Sequence, residues 1–164
     1  MRKTASLWTI FVLVLFIGNE SCAQAVLEIG GDVEKPLSLT MEELKTCSPQ
    51  RYTTQSMDGD TVVYDVVRLI DVLALAGVPA GNQLKGKHVQ KAVVVAAEDG
   101  YRAVFSLAEL DPKSADGAIL LAIGQQGKPL DKRVGPLRLI APKDRLHSRW
   151  VWQVRSFFVV SPQL

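Results

Sequence analysis

The sequence predicts an α+β domain in which mixed and antiparallel β-sheets are accompanied by few, short helices. Short apolar or alternating segments are separated by tight-turn signals such as Asp58-Gly59 and Asp99-Gly100, which are typical of β-hairpins. Helical periodicity is confined to short stretches between these segments. Because most predicted strands are joined by tight turns and not by helical crossovers, antiparallel and mixed sheets are favoured over a parallel sheet.

Extended segments are predicted along most of the chain. Alternating or β-branched residues, bounded by glycine, proline, asparagine or aspartate, define them. In the last segment, Trp150, Trp152 and Val154 are expected to share one face of a strand and to pack there. The predicted extended segments are residues 26–29, 33–39, 51–57, 61–64, 88–97, 101–105, 119–123, 137–141 and 150–160.

Helices are predicted at three places between these strands. Residues 40–43 form a Thr-x-x-Glu capping box and predict a helix over 41–46. Apolar residues at helical spacing predict an amphipathic helix over 66–76, which Gly77 ends. A second capping box, residues 106–109, predicts a single helical turn.

Residues 1–25 are predicted to be a signal peptide. Arg2 and Lys3 precede an apolar run over residues 7–17. As a helix this run would be about 16 Å long, too short for a hydrocarbon core of roughly 30 Å. A small-x-small pattern follows, which is typical of a cleavage site.

Cleavage after Ala25 would leave a single domain, residues 26–164, in the periplasm or secreted and with no membrane span. A lipid anchor at Cys22 is the alternative. Two of the 19 basic and one of the 17 acidic residues lie within residues 1–25, so the remaining charge is nearly balanced and gives no reason to expect nucleic acid as a partner. Cys47 is then the one cysteine, which excludes an internal disulfide.

A basic segment near the C-terminus is the strongest candidate for a binding site. A short apolar strand carries an arginine and opens into a loop rich in cationic donors, an arrangement that can cradle an anion. The alternative is a solvent-facing arginine beside an ordinary charged loop. The candidate binding residues are Arg138, Arg149, Lys143, Arg145 and His147, with Arg133 nearby.

Other site chemistries find no support in the sequence. No spacing of Cys, His, Asp and Glu fits a metal site. Neither a nucleophile elbow nor a phosphate-binding glycine loop is present.

Several short motifs follow one another in a fixed order along the chain. They are Gly30-Gly31-Asp32-Val33, Leu39-Thr40-Met41-Glu42-Glu43-Leu44, Asp58-Gly59, Leu69-Ile70-Asp71-Val72-Leu73, Glu98-Asp99-Gly100-Tyr101, Gly127-Lys128-Pro129-Leu130, Gly135-Pro136-Leu137-Arg138-Leu139 and Arg149-Trp150-Val151. In this order they resemble the oxidoreductase molybdopterin-binding domain family, which has the sulfite-oxidase fold. The resemblance covers almost all of residues 26–164.

The resemblance implies a molybdopterin cofactor but counts against molybdenum. Active members of the family bind the metal through a pterin dithiolene and one cysteine on the strand before Asp58-Gly59. Here that strand, residues 52–57, has no cysteine, and Cys47 lies too early to match. The family's pterin-phosphate contacts imply that Arg138, and the nearby basic position Arg149, hold the cofactor phosphate.

Two functions remain open at this stage. The first is an anion-binding or accessory module, whose partner is a small anionic ligand, a pterin-type cofactor, or a redox or accessory protein. The alternative is an active molybdopterin-dependent oxidoreductase with a non-standard metal site. Whether the protein is an enzyme is therefore left open.

Overall fold

The computed structural model describes residues 24–56 and 59–162. The predicted signal peptide, apart from Gln24 and Ala25, lies outside the described residues, as do Met57 and the turn residue Asp58. The strands are β1 (Ala25–Gly31), β2 (Leu37–Thr40), β3 (Gln50–Gln55), β4 (Thr61–Arg68), β5 (Ala92–Ala97), β6 (Arg102–Ser106), β7 (Leu120–Gln125), β8 (Arg138–Ile140) and β9 (Val154–Val160). The helices are α1 (Met41–Lys45), α2 (Leu69–Ala74) and α3 (Leu107–Leu110), with 3₁₀ turns at Gly81–Gln83, Gly86–His88 and His147–Arg149.

The described strands form two sheets. The first has the order β2-β1-β9-β5-β6 and is mixed, because β1 and β9 are parallel while its other neighbours are antiparallel. The second has the order β3-β4-β7-β8 and is entirely antiparallel. The predicted α+β class, with mixed and antiparallel sheets and few short helices, is confirmed.

One hydrophobic core joins the two sheets. Phe105 and Phe157 from the first sheet and Leu121 and Leu139 from the second are fully buried in the same cluster. Burying a side chain of this size contributes roughly 1.5–3 kcal/mol. Because the described part of the chain contains no disulfide, this packing is the main source of its stability.

The first predicted helix is confirmed, and the second is shorter than predicted. The reciprocal hydrogen bonds of Thr40 and Glu43 form the expected capping box of α1. The helix predicted over 66–76 begins only at Leu69, because Val66 and Val67 belong to β4, where they pair with β7. Sheet pairing has therefore overridden the helical spacing of these valines.

Three predicted strands begin four residues later than expected. The strand predicted over 33–39 begins at Leu37. The strand predicted over 88–97 begins at Ala92, and the one predicted over 150–160 begins at Val154. Each of these last two is preceded by a 3₁₀ turn with its own local backbone hydrogen bonds. Trp150 and Trp152 consequently precede β9 and do not share a strand face with Val154.

Three short helices and three 3₁₀ turns lie among the described residues. None of them is both long and apolar enough to cross a bilayer.

A buried carboxylate fixes the loop that follows α3. Asp111 is only 1% exposed. Its side chain accepts hydrogen bonds from the backbone N–H groups of Gly81 and of Lys113, the latter at 2.8 Å. It thus ties two distant loops together and satisfies donors that would otherwise be left without a partner.

We expect Asp111→Ala to lower the free energy of unfolding by about 1–3 kcal/mol, since both N–H groups lose their acceptor. Urea denaturation followed by circular dichroism measures this change. Asp116→Ala is the matched control, because Asp116 lies exposed in the same loop and should change stability by less than about 0.5 kcal/mol. Equal stability of the two variants would contradict the anchoring role.

Candidate anion-binding site

Three aromatic rings surround the guanidinium group of Arg138, the first residue of β8. Its Nη1 donates a 2.5 Å hydrogen bond to the hydroxyl of Tyr64 on β4. The guanidinium carbon lies 5.4 Å from the centre of the Tyr64 ring, 5.3 Å from that of Trp150 and 5.7 Å from that of Trp152. These are cation–π distances, so the rings hold the guanidinium in place.

Sheet pairing and a local turn bring these side chains together. Arg138 pairs with Ala122 on β7, and Ala122 pairs with Val66 on β4, so Tyr64 is reached across one intervening strand. Both tryptophans follow a 3₁₀ turn, and Trp150 Nε1 donates a 3.0 Å hydrogen bond to the carbonyl of Ala141. The 3₁₀ turn therefore aims the two indoles at Arg138.

The charge of Arg138 has no carboxylate partner among the described residues. Its only side-chain hydrogen bond there goes to the neutral Tyr64 hydroxyl, and its buried Nε atom has no partner. Burial lowers the pKa of Arg138 from its ordinary value because desolvation disfavours the charged form, while Tyr64 acts in the opposite direction. A partly desolvated cation without a counter-charge favours binding of an anion.

A pocket of about 240 Å³ adjoins this cation. Trp150 and Trp152 belong to its wall as well as to the surroundings of Arg138, and Trp152 is 50% exposed. The His147 ring stacks on Trp150 with centroids 3.9 Å apart, and the Tyr101 hydroxyl donates to the carbonyl of Ser148. The pocket thus offers flat aromatic surfaces, two of which also contact the Arg138 guanidinium group. Arg138 itself does not line the pocket, and Asp99 adds one carboxylate to its wall.

Arg149 has a different environment. Its Nε and Nη2 donate hydrogen bonds of 2.8 and 2.7 Å to Asp144, and its Nη1 donates one of 2.9 Å to Glu109. Its guanidinium carbon lies 4.6 Å from the centre of the Phe105 ring. The hydrogen bonds to Asp144, reinforced by Glu109, raise the pKa of Arg149. Its charge is therefore compensated within the protein.

The predicted basic residues do not form one cradle. Arg138 and His147 both contact Trp150, whereas Lys143 and Arg149 line a separate pocket of about 360 Å³ with Asp144. Arg145 is exposed and lines neither pocket. The expectation of one shared cradle overlooked the carboxylates that pair with Arg149. The cofactor-binding role of the individual residues stays a prediction.

Sequence reasoning missed two residues of this site. Tyr64 lies 74 positions before Arg138, and no sequence pattern connects them. Tyr101 lies in the Asp99-Gly100 turn and was assigned only to a strand. Among the aromatic residues of the site, only Trp150 and Trp152 have a sequence spacing that predicts a shared surface.

The described residues do not fit a molybdenum–thiolate site. β3, where the family resemblance implies the metal-binding cysteine, contains none. Cys47 is 8% exposed within the core cluster, and burial raises its thiol pKa, as does the nearby charge of Asp71. A thiolate is the form that binds a soft metal. No group of three or more His, Cys, Asp and Glu residues in the described ranges could hold a metal ion.

We expect iodoacetamide to alkylate Cys47 more slowly in the folded protein than in urea. The thiolate reacts, and its fraction falls about tenfold for each unit by which the pKa is raised. Mass spectrometry of the peptide that contains Cys47 measures the two rates. Equal rates would mean that the Cys47 thiol is accessible in the folded protein and would contradict its burial in the core.

The fold and the match to a family sequence model together define a molybdopterin-binding type of domain. The chain belongs to the oxidoreductase molybdopterin-binding domain family, whose sequence model matches residues 19–159. It is similar to the solved structure of the sulfane dehydrogenase SoxCD from Paracoccus pantotrophus, with a TM-score of 0.63 and 22% identity. The alignment covers 83% of this chain and 38% of that one, so this likeness shows the fold alone. No curated protein matches the sequence.

Proposed function

We propose that this protein is an anion-binding or accessory member of its family and not a molybdenum oxidoreductase. The observation that carries this proposal is Arg138, a partly buried cation that has no carboxylate partner among the described residues. It packs against Trp150 and Trp152, which also line an aromatic pocket. The absence of a thiolate on β3 supports the same conclusion. The active oxidoreductase with a non-standard metal site is supported by the family assignment alone.

The ligand that suits this site is a small planar anion. A guanidinium group binds an oxyanion through paired N–H donors, and Tyr64 and the indoles keep Arg138 in place for this contact. Trp152 and His147 offer flat faces on which a planar ring can stack. A pterin-type compound with a phosphate group belongs to this chemical class.

We further propose that the mature protein acts outside the cytoplasm, in the periplasm or after secretion. The support is the signal-peptide pattern of residues 1–25, in which two basic residues precede an apolar run. A redox or accessory protein partner in that compartment is part of this proposal.

Protein purified from its native compartment should contain molybdenum far below one atom per chain, because no described thiolate suits the metal. Elemental analysis measures the metal, pterin fluorescence after oxidation detects the organic cofactor, and intact mass shows whether the chain begins at Val26. Pterin without molybdenum would identify the ligand and support the binding role. Stoichiometric molybdenum would overturn it in favour of the oxidoreductase.

We expect Arg138→Gln to weaken binding of phenyl phosphate by about 1.5–3 kcal/mol, the range for a hydrogen bond to a charged group. The chain has three tryptophans. Trp150 and Trp152 both lie at the site, and Trp8 would leave with the signal peptide, so tryptophan fluorescence of the mature protein reports binding.

Arg133→Gln is the matched control, since the Arg133 side chain is 90% exposed and forms, within the described ranges, a single ion pair, with Asp131 at 3.4 Å. It should bind phenyl phosphate like the wild type. Thermal unfolding of both variants separates loss of binding from loss of structure. Unchanged affinity in a folded Arg138→Gln protein would exclude Arg138 as the binding residue.

A further inference from the structure

A second cavity, of about 660 Å³, lies between α1, β4 and the loops that flank β7 and β8. It shares no lining residue with the pocket beside Trp152. Residues that are adjacent in the sequence line different spaces. Glu98 and Gln153 line the larger cavity, whereas Asp99 and Trp152 line the smaller one. The larger cavity is therefore distinct from the Arg138 site.

The wall of this cavity is mainly apolar. Aliphatic and proline side chains provide it, together with glycines that present no side chain to the space. A Cβ atom added at Gly127 would meet nothing within 4 Å, so this part of the wall is open. The side chains are Met41, Pro49, Ile123, Pro129, Leu130 and Pro136.

The charged groups around the cavity leave an excess of unpaired cations. Glu98 pairs with an arginine of β9 at 3.2 Å, and Lys45 pairs with Glu42 at 2.7 Å. Asp65 forms no ion pair among the described residues, and its carboxylate accepts a 2.7 Å hydrogen bond from the neutral Gly127 backbone N–H. Lys128 and Lys132 are exposed, and neither forms an ion pair within the described parts of the chain, so one unpaired carboxylate stands against two unpaired lysines. An apolar space with two free ammonium groups complements a molecule with an apolar body and one negative end.

We propose that this cavity binds an apolar monocarboxylate, such as an aliphatic acid of medium length. The chain of the ligand lies among Met41, Ile123 and Leu130, and its carboxylate meets Lys128 and Lys132. The volume is within the range of about 300–1,000 Å³ that is usual for small-molecule sites. The proposal does not depend on Arg138, because the two sites share no residue.

Decanoate and decanol are the probes, since they have the same number of carbon atoms but only decanoate is charged at pH 7. Two-dimensional NMR of the full chain follows the backbone amides during titration with each. Decanoate should shift the amides of Gly124, Gly127 and Gly135, which line the cavity, and should bind about tenfold more tightly than decanol, as expected for two exposed ion pairs.

Two double variants test the role of charge. Lys128→Gln with Lys132→Gln should weaken decanoate binding about tenfold and leave decanol binding unchanged. Lys85→Gln with Lys87→Gln removes the same charge from two other exposed lysines and should change neither. Met41→Trp, which fills the cavity, should abolish binding of both probes, while Arg138→Gln should affect neither.

Several outcomes would overturn the proposal. The cavity is not a ligand site if neither probe shifts these glycine amides, or if Met41→Trp folds and still binds both. The ligand is not an anion if decanol binds as tightly as decanoate, or if both lysine double variants behave alike. Loss of decanoate binding in Arg138→Gln would mean that the ligand lies in the other pocket.

Discussion

Backbone hydrogen bonds between the β8 region and the segment that enters β9 fix the position of the candidate site relative to the two sheets. The Leu139 N–H donates to the Val151 carbonyl at 2.7 Å, and the Val154 N–H donates to the Leu137 carbonyl at 3.0 Å. β8 belongs to one sheet and β9 to the other, where β9 lies between β1 and β5. These bonds therefore join the two sheets at the point where the chain crosses between them.

The same crossing sets the geometry around Arg138. Val151, which lies between the two tryptophans in the sequence, is buried. Its carbonyl accepts the hydrogen bond from the Leu139 N–H of β8. Trp150 and Trp152 are thereby held next to the first residue of β8. A shift of this segment would move both indoles away from the guanidinium group. Backbone pairing thus positions the two indoles, and their contacts with the guanidinium group then hold Arg138 in place.

The two arginines differ in how their charge is compensated, and this difference underlies the proposal that Arg138 and not Arg149 binds an anion. Arg149 gives its donors to Asp144 and Glu109, and its pKa is raised; Arg138 has only a neutral hydroxyl as partner, and burial lowers its pKa. Both are partly buried. Only Arg138 has a charge that no carboxylate compensates among the described residues. The charge that each of these two arginines leaves uncompensated thus depends on the carboxylates within hydrogen-bonding distance.

The sequence by itself determined the class of fold, the turn positions, the capping box of α1 and the family, because these depend on local patterns and on the order of motifs. The second predicted capping box forms only in part: Ser106 caps α3, but the Glu109 side chain pairs with Arg149. It also determined that β3 offers no cysteine. Only the tertiary structure decided that Val66 and Val67 extend a strand and that Trp150 precedes one, since both depend on pairing with distant segments. It also decided that Arg138 contacts Tyr64 and that Arg149 contacts Glu109, which lie 74 and 40 positions away. Asp144, the other partner of Arg149, lies only five positions away. Contacts between residues remote in sequence leave no local periodicity, so no pattern in the chain reveals them.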